Sequence, residues 1–351
     1  MVARQPPSKQ RVADSSLASS SRKKPSGRSA DRSLRSSSTV TSSRRSRGEP
    51  HTPKPCDDEQ EACDADTPVV QQIESVIVDA PGDCPGRDIH ANLRELEHDC
   101  AAHHNYTSAQ REITGQMRSI LVDWLVEVAQ EYHLSDETLH LCVHYTDRFL
   151  SRLPIQRSRL QLVGITCLRL ACKFEEASPL AIDEFVYISD GSYTKDEVLR
   201  MESMVLAKLN FSLSAATSKA FLKRYQEVAP LDCSKQTNAE AVLQYEHLAN
   251  FFLELALQET DCLRWLPSMI AASSICLARV CLGIQPHWTT QLEAFSDYDQ
   301  SAVRACIVEL HALHRKAAFS SLRAVVDKYS LKKLSCVAQL TPLETLPREL
   351  R

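Results

Sequence analysis

At 351 residues, with 43% hydrophobic and 25% charged side chains, the chain matches a globular protein of one large or two ordinary domains. Eight glycines and the lack of long alternating or Asn-Gly hairpin patterns argue against a β-rich fold and for an all-α chain. The formal charge of −4 hides an asymmetry: residues 1–55 carry 13 basic against 3 acidic side chains, a surplus of +10, so residues 56–351 hold −14.

The thirteen cysteines are an odd number with no Cys-x-x-Cys pair, and they are expected as reduced packing in a cytosolic or nuclear protein. A charged, serine-rich N-terminus is not that of a secretory leader. Arg169, Lys173 and Arg279 interrupt the most apolar helices well short of the roughly 20 clean residues of a membrane span.

Residues 1–84 are rich in Ser, Arg, Pro and Asp without periodic apolar positions, so a disordered tail is expected there. Its clusters Arg22-Lys-Lys24 and Arg44-Arg-Ser-Arg47 fit either a nuclear address or a solvated basic arm. Thr52-Pro53 and Thr67-Pro68 are minimal proline-directed phosphorylation sites. A short amphipathic helix is then expected over Asp88–Cys100, with Ile89, Leu93 and Leu96 on one side.

The next helix, Thr114–Glu131, carries Met117, Ile120, Leu121, Trp124, Leu125 and Val128 at i, i+3, i+4 spacing. Val122, Val126 and Ala129 widen that stripe, leaving Arg118, Asp123, Glu127 and Gln130 as a narrow strip for water. A helix so apolar is either wrapped by its own domain or covered on one side by a different molecule.

Ser135-Asp-Glu137 caps a second helix that runs to about Ser151. A third, Ser158–Phe174, is apolar nearly all round through Leu162, Val163, Ile165, Leu168 and Leu170 and is expected at the centre. A short helix over Ala181–Tyr187 follows, and the capping box Thr194-Lys-Asp-Glu197 opens a fifth through Val198, Met201, Val205 and Leu209. The second half repeats this order: Ser218–Glu227, Asn238–Gln258 behind the capping box Thr237-Asn-Ala-Glu240, Pro267–Leu282, Trp288–Phe295 and Gln300–Lys316. Pro267 suits a first turn and Gly283 a stop.

Catalytic constellations are absent from the sequence. His140-Leu-Cys-Val-His144 sets two imidazoles one turn apart but lacks a glutamate base and a third ligand, so the pair reads as helix-surface histidines. No phosphate loop, nucleophile elbow or kinase signature occurs, and neither enzyme activity nor a cofactor or metal is expected. Lys173 ends the buried third helix, where an ammonium needs an acceptor, and Glu202 interrupts the stripe of the fifth. Pairing with a neighbour such as Glu175 or Glu176 and service to a partner molecule both remain open for them.

Met117-Arg-Ser-Ile-Leu-Val-Asp-Trp-Leu-Val-Glu127, Asp147-Arg-Phe-Leu-Ser151, Leu160-Gln-Leu-Val-Gly164, Cys172-Lys-Phe-Glu-Glu176, Glu184-Phe-Val-Tyr-Ile-Ser189 and Tyr193-Thr-Lys-Asp-Glu197 together resemble the mitotic cyclins, nearest the A type. The resemblance runs from about Asp88 to Leu346. It implies tandem cyclin-box folds, two five-helix domains at 85–213 and 214–340, between the tail and a last segment at 341–351. It also implies a regulatory subunit that activates a cyclin-dependent protein kinase between S phase and mitosis, in the nucleus and also the cytoplasm. Kinase contacts would fall to Ile89, Lys173, Phe174, Glu175, Glu202, Leu206 and Phe211. A patch of Met117, Ile120, Leu121, Trp124, Glu127 and Gln161 would dock Arg-x-Leu segments of substrates and inhibitors. Arg118 and Asp147 would form a buried salt bridge.

Ubiquitin-dependent degradation machinery is a further implied partner, yet the family's Arg-x-x-Leu destruction core is missing before Arg118. Of the later instances, Arg118-Ser-Ile-Leu121 and Arg157-Ser-Arg-Leu160 read as helix structure. Asn92 stands where cyclin A has a tyrosine. Neither nucleic acid nor membrane is expected as a partner. The competing class is a cyclin-fold scaffold or transcription protein acting without a kinase, for which a basic face on the folded part would be needed.

Overall fold

Hydrophobic spacing and side-chain caps account for several helix starts in the computed structural model, which describes residues 85–228, 230 and 239–350. The expectations for residues 1–84 and for the Thr237-Asn238 start of a capping box lie outside the described residues. Helix α1 is Pro85–Asp99, and α2, Gly115–Glu131, starts behind a Thr114 cap that accepts from the Met117 amide. Helix α3, Asp136–Arg152, has its Ser135 cap; α4 is Leu160–Glu175 and α5 Ile182–Ile188. Helix α6, Lys195–Lys208, carries the complete Thr194/Glu197 capping box. A 3₁₀ turn at Arg157–Arg159 occupies the expected first turn of α4.

The second bundle holds α7 (Ser218–Val228), α8 (Ala239–Gln258), α9 (Pro267–Cys281), α10 (Thr290–Ser296) and α11 (Gln300–Ala317). Pro267 lies in the first turn of α9, and Gly283 takes the left-handed φ of 67° that ends it. Helix α12, Ala324–Tyr329, brings the total to twelve α-helices among the described residues, with no strand. The central helices are α4, packed on α2, α3, α5 and α6, and α9, packed on α7, α8 and α11. Both are apolar nearly all round, which is why they are the ones enclosed.

Three expectations need correcting, and one open alternative falls away. Ile89 does not share a packed stripe with Leu93 and Leu96: it is exposed, and α1 turns inward His90, Leu93, Arg94, Leu96, Glu97 and Cys100. His90 sits among the rings of Phe221, Tyr225 and Phe295 at 4.5–5.8 Å. The polar strip of α2 is not left to water. Arg118 is buried, and Asp123 accepts from Gln258 Nε2 at 2.7 Å and from the Ala324 amide at 3.0 Å. The second bundle meets the Arg118 and Asp123 part of that strip, leaving Glu127 and Gln130 half-buried, which period analysis of one helix does not foresee.

His140 is likewise buried rather than on a helix surface, and with His104 and His144 it lines a cavity of about 270 Å³ between the bundles. Burial lowers the His140 imidazole to about 3 and that of His144 to about 4, so both are neutral. Lastly, Lys173 and Glu202 do not pair with Glu175 or Glu176; they pair with each other. Glu176 instead accepts from the Ser135 amide and the Thr138 hydroxyl at the start of α3.

Candidate functional site

The last turn of α4 carries Lys173, Phe174 and Glu175 out of the core, and α6 lies beside it with Glu202 and Leu206. Glu202 is only 7% exposed, and an isolated carboxylate at that depth is costly. Two cations resolve it: Lys173 Nζ to Oε1 at 2.5 Å and Arg169 Nε to Oε2 at 2.8 Å. Burial pushes this carboxyl up, but the hydrogen bonds from Lys173 and Arg169 outweigh it and hold it below the usual glutamate value. Arg169, one turn before Lys173, also lies 5.9 Å from the Phe185 ring centroid. Its i, i+4 spacing to Lys173 was the available signal for this second partner, and the sequence reading missed it.

Lys173 keeps 45% of its side chain exposed, and one of its three N–H donors is used by Glu202, so two point to solvent from a fixed position. Phe174 is exposed beside it, and Leu206 is half-buried. Phe211 is 72% exposed on a turn where Asn210 and Phe211 both take left-handed φ values, 53° and 56°. That conformation costs a residue with a Cβ roughly 1–2 kcal/mol. The turn is held by Arg148 Nη1 to Ser212 O at 2.9 Å, Arg152 Nη1 to Lys208 O at 2.8 Å and Tyr145 OH to Leu213 O at 2.7 Å. Burial, then Glu137 and Glu176, raise the Glu175 carboxyl. Ile89 is exposed on α1, eleven residues or roughly 16 Å of helix from the Cys100 end that touches this turn at Ser212. The strip therefore joins Lys173, Glu202 and Arg169 directly and leaves Ile89 apart.

The second surface is on α2. Ile120 is 37% exposed, Met117 and Trp124 are half-buried, and Leu121 forms a floor at 6% exposure. Gly164 of α4 permits this: a Cβ there would stand 2.8 Å from Leu121 Cδ1. Glu127 and Gln161 are half-buried at its edge. Burial raises the Glu127 carboxyl, with Asp123 and Asp327 adding to the rise, so the edge is electronegative. Arg118 and Asp147 lie beneath, fully buried and paired by two hydrogen bonds.

Among the described residues no group of three or more His, Cys, Asp or Glu could hold a metal ion, and no helix is long and apolar enough to cross a membrane. Residues 88–214 match the family described as Cyclin, N-terminal domain, and residues 216–343 that described as Cyclin, C-terminal domain. The G2/mitotic-specific cyclin-A of Hydra viridissima is 44% identical over 259 residues, 74% of this chain and 60% of that protein. Cyclin-A3-2 of Oryza sativa subsp. japonica is 38% identical over 266 residues, 74% of this chain and 67% of that protein. The chain thus spans about three-fifths to two-thirds of the length of these relatives. A solved viral cyclin from herpesvirus saimiri shares the fold at 20% identity, with a TM-score of 0.53 over 73% of this chain and 100% of that one.

Proposed function

We propose that this chain, which belongs to the cyclin family and matches A-type cyclins, is the regulatory subunit of a cyclin-dependent protein kinase and itself carries out no chemistry. The observation that carries the proposal is the Lys173–Glu202–Arg169 joint: a buried carboxylate fixes an exposed lysine between apolar Phe174 and Leu206, with Phe211 held on a constrained turn. Such a surface offers donors and apolar area in one geometry, at little entropic cost on binding.

A protein kinase is competent only when its strand lysine pairs with the glutamate of its mobile helix. A rigid surface that binds that helix in the inward position alone shifts the population toward the competent state, by as much as its affinity for the two positions differs. Lys173 and Glu202 supply polar contacts to main-chain groups around that helix, Phe174, Glu175, Leu206 and Phe211 the surrounding area, and Ile89 a separate contact farther along α1. The α2 surface docks Arg-x-Leu segments of substrates and inhibitors, leucine over Leu121 and arginine toward Glu127. Action in G2 and mitosis draws support from the name of the Hydra relative, G2/mitotic-specific cyclin-A. Action from S phase, residence in the nucleus and removal by ubiquitin-dependent machinery belong to the same reading and rest on the family resemblance of the sequence alone.

The test mixes the full chain with purified cell-cycle kinases and follows phosphorylation of a histone-type peptide. Wild type should activate at least one kinase, and the folded Lys173→Ala/Glu202→Ala variant should lose that activation. A folded wild-type chain that activates none of them would point to the scaffold class instead.

A further inference from the structure

From residue 85 onward three pairs of adjacent basic side chains occur, Lys223-Arg224, Arg315-Lys316 and Lys332-Lys333. Two places after each pair stand Gln226, Ala318 and Ser335, so only the last pair sets a hydroxyl behind basic residues at −3 and −2. Kinases that recognise their substrates by charge read that pattern. We propose that Ser335 is a phosphorylation site for a basic-directed protein kinase, and that its phosphate is then held by His247 of α8 together with Lys332 and Lys333 of its own turn.

The receiving groups are already in place. Ser335 Oγ lies 3.0 Å from His247 Nδ1, on a ring that is half-buried on α8. Burial lowers the His247 imidazole against the pull of Glu246 and Asp136, and Lys219 adds to the fall, so the ring meets the hydroxyl uncharged. Asp136 is paired with Lys219 and Lys328, which leaves Glu246 as the acid beside the site. Lys332 and Lys333 are exposed, and neither forms an ion pair among the described residues. A phosphate on Ser335 would put a dianion and several acceptor oxygens where these three donors converge.

The turn is open to a kinase. None of residues 330–336 is buried, so lifting them takes no buried residue from the core, while fully buried Val337 anchors the chain beyond. The turn is closed by Leu334 N–H and Cys336 N–H to Leu331 O at 2.9 and 3.2 Å and by Ser335 N–H to Lys332 O at 3.0 Å. Ser335 and Cys336 take left-handed φ values of 55° and 51°, which a residue with a Cβ adopts only at a cost. Opening into the extended shape that a kinase cleft needs relieves that strain. In the transfer itself the γ-phosphorus of ATP forms a bond to Ser335 Oγ and breaks its bond to the β,γ-bridging oxygen. ADP leaves, and the hydroxyl proton passes to the kinase's aspartate base.

The experiment incubates the full chain with ATP, magnesium and the catalytic subunit of the cAMP-dependent protein kinase, beside a peptide of residues 329–339. Mass spectrometry locates the phosphate in the tryptic fragment Leu334–Arg348, because serines in residues 1–84 offer the same kinase other sites. We expect Ser335 in the chain to be modified at a rate within about tenfold of the peptide, and at least about tenfold more slowly in Lys332→Ala/Lys333→Ala. Treatment should raise the melting temperature of wild type by about 2 °C or more beyond its effect on Ser335→Ala, and His247→Ala should remove most of that rise. A peptide that the kinase leaves unmodified would overturn the proposal, as would a modified peptide beside an unmodified Ser335 in the chain. Phosphate on Ser335 with no change in melting temperature would overturn the receiving role of His247 and the two lysines.

Discussion

Arg118 and Asp147 face each other through two parallel hydrogen bonds, Nε to Oδ1 at 2.8 Å and Nη2 to Oδ2 at 2.7 Å, while Arg118 Nη1 donates to the carbonyl oxygens of Leu257 and Gln258 in the second bundle. Tyr106 donates to the same carboxylate at 2.7 Å. One buried guanidinium thus ties α2 to α3 and the first bundle to the second. Arg118→Met should cost about 3–5 kcal/mol, because it leaves the buried Asp147 carboxylate with Tyr106 alone and removes a donor from the Leu257 carbonyl, while Gln258 O keeps Ser119 Oγ. Arg118→Met/Asp147→Leu should cost less than the two single changes summed. Urea denaturation of the four chains measures this, and strict additivity would show that the pair acts as two independent charges.

Acid should destabilise the fold earlier than its carboxylates require. His140 is lowered to about 3, by burial and then by Lys219, and His144 to about 4, by burial and then by Arg148. Unfolded histidines take protons near 6.5, so below that pH the unfolded chain binds protons that the folded chain refuses. Stability therefore falls as pH drops from about 6.5 toward the folded values, by up to about 1.4 kcal/mol per pH unit for each imidazole, and neither contributes a slope above pH 7.5. Comparing urea midpoints between pH 7.5 and 5 for wild type and His140→Gln/His144→Gln checks this. The double variant should show a clearly flatter dependence, and an unchanged slope would mean that these histidines are protonated in the folded state.

The two halves of the Lys173–Glu202 pair should separate in experiment. Lys173 is largely exposed, so Lys173→Ala should change stability by about 1 kcal/mol or less. Glu202→Ala strands the mostly buried Arg169 and should cost about 1–3 kcal/mol. Kinase activation should fall at least tenfold in both. Melting curves beside activation assays distinguish the cases, and an activation loss that tracks only stability would remove Lys173 from the contact.

Gly164→Ala tests the floor of the α2 surface. A Cβ there meets Leu121 Cδ1 at 2.8 Å and Cδ2 at 3.3 Å, so the leucine must give way toward the surface. Alanine gains up to about 1 kcal/mol of helix propensity, which offsets part of the repacking. The melting temperature should move little while Arg-x-Leu peptide affinity drops severalfold. Unaltered affinity in a folded variant would place the leucine pocket elsewhere.

Long helices were legible because each carried its own period and several their own cap, as with Thr194/Glu197 on α6 and Thr114 on α2, while α4 and α9 start without a side-chain cap. What escaped was remote in sequence or short. The six residues of α12 and the 3₁₀ turns after it are too brief to show a period. Asp123 looked solvent-facing because the element that covers it, α12, lies 201 residues away. The same holds for Asp136, which meets Lys219 and Lys328 from the other bundle, with Glu254 sharing Lys328. At the candidate site, Lys173 and Glu202 stood out as charges misplaced in apolar stripes, but their mutual pairing across 29 residues and the role of Arg169 required the fold.

Helix α1 gives the molecule a direction of mechanical weakness. Glu97 accepts from the Ser268 amide at 3.0 Å and its hydroxyl at 2.9 Å in the first turn of α9, while Arg94 reaches Tyr298. These bonds bridge 171 and 204 residues of chain, so a pull on the N-terminal side loads the His90 ring cluster and then these bonds before the rest of the second bundle. An unfolding motor that engages the first 84 residues would peel α1 away first, bare the amide end of the central helix α9, and from there find the core already open.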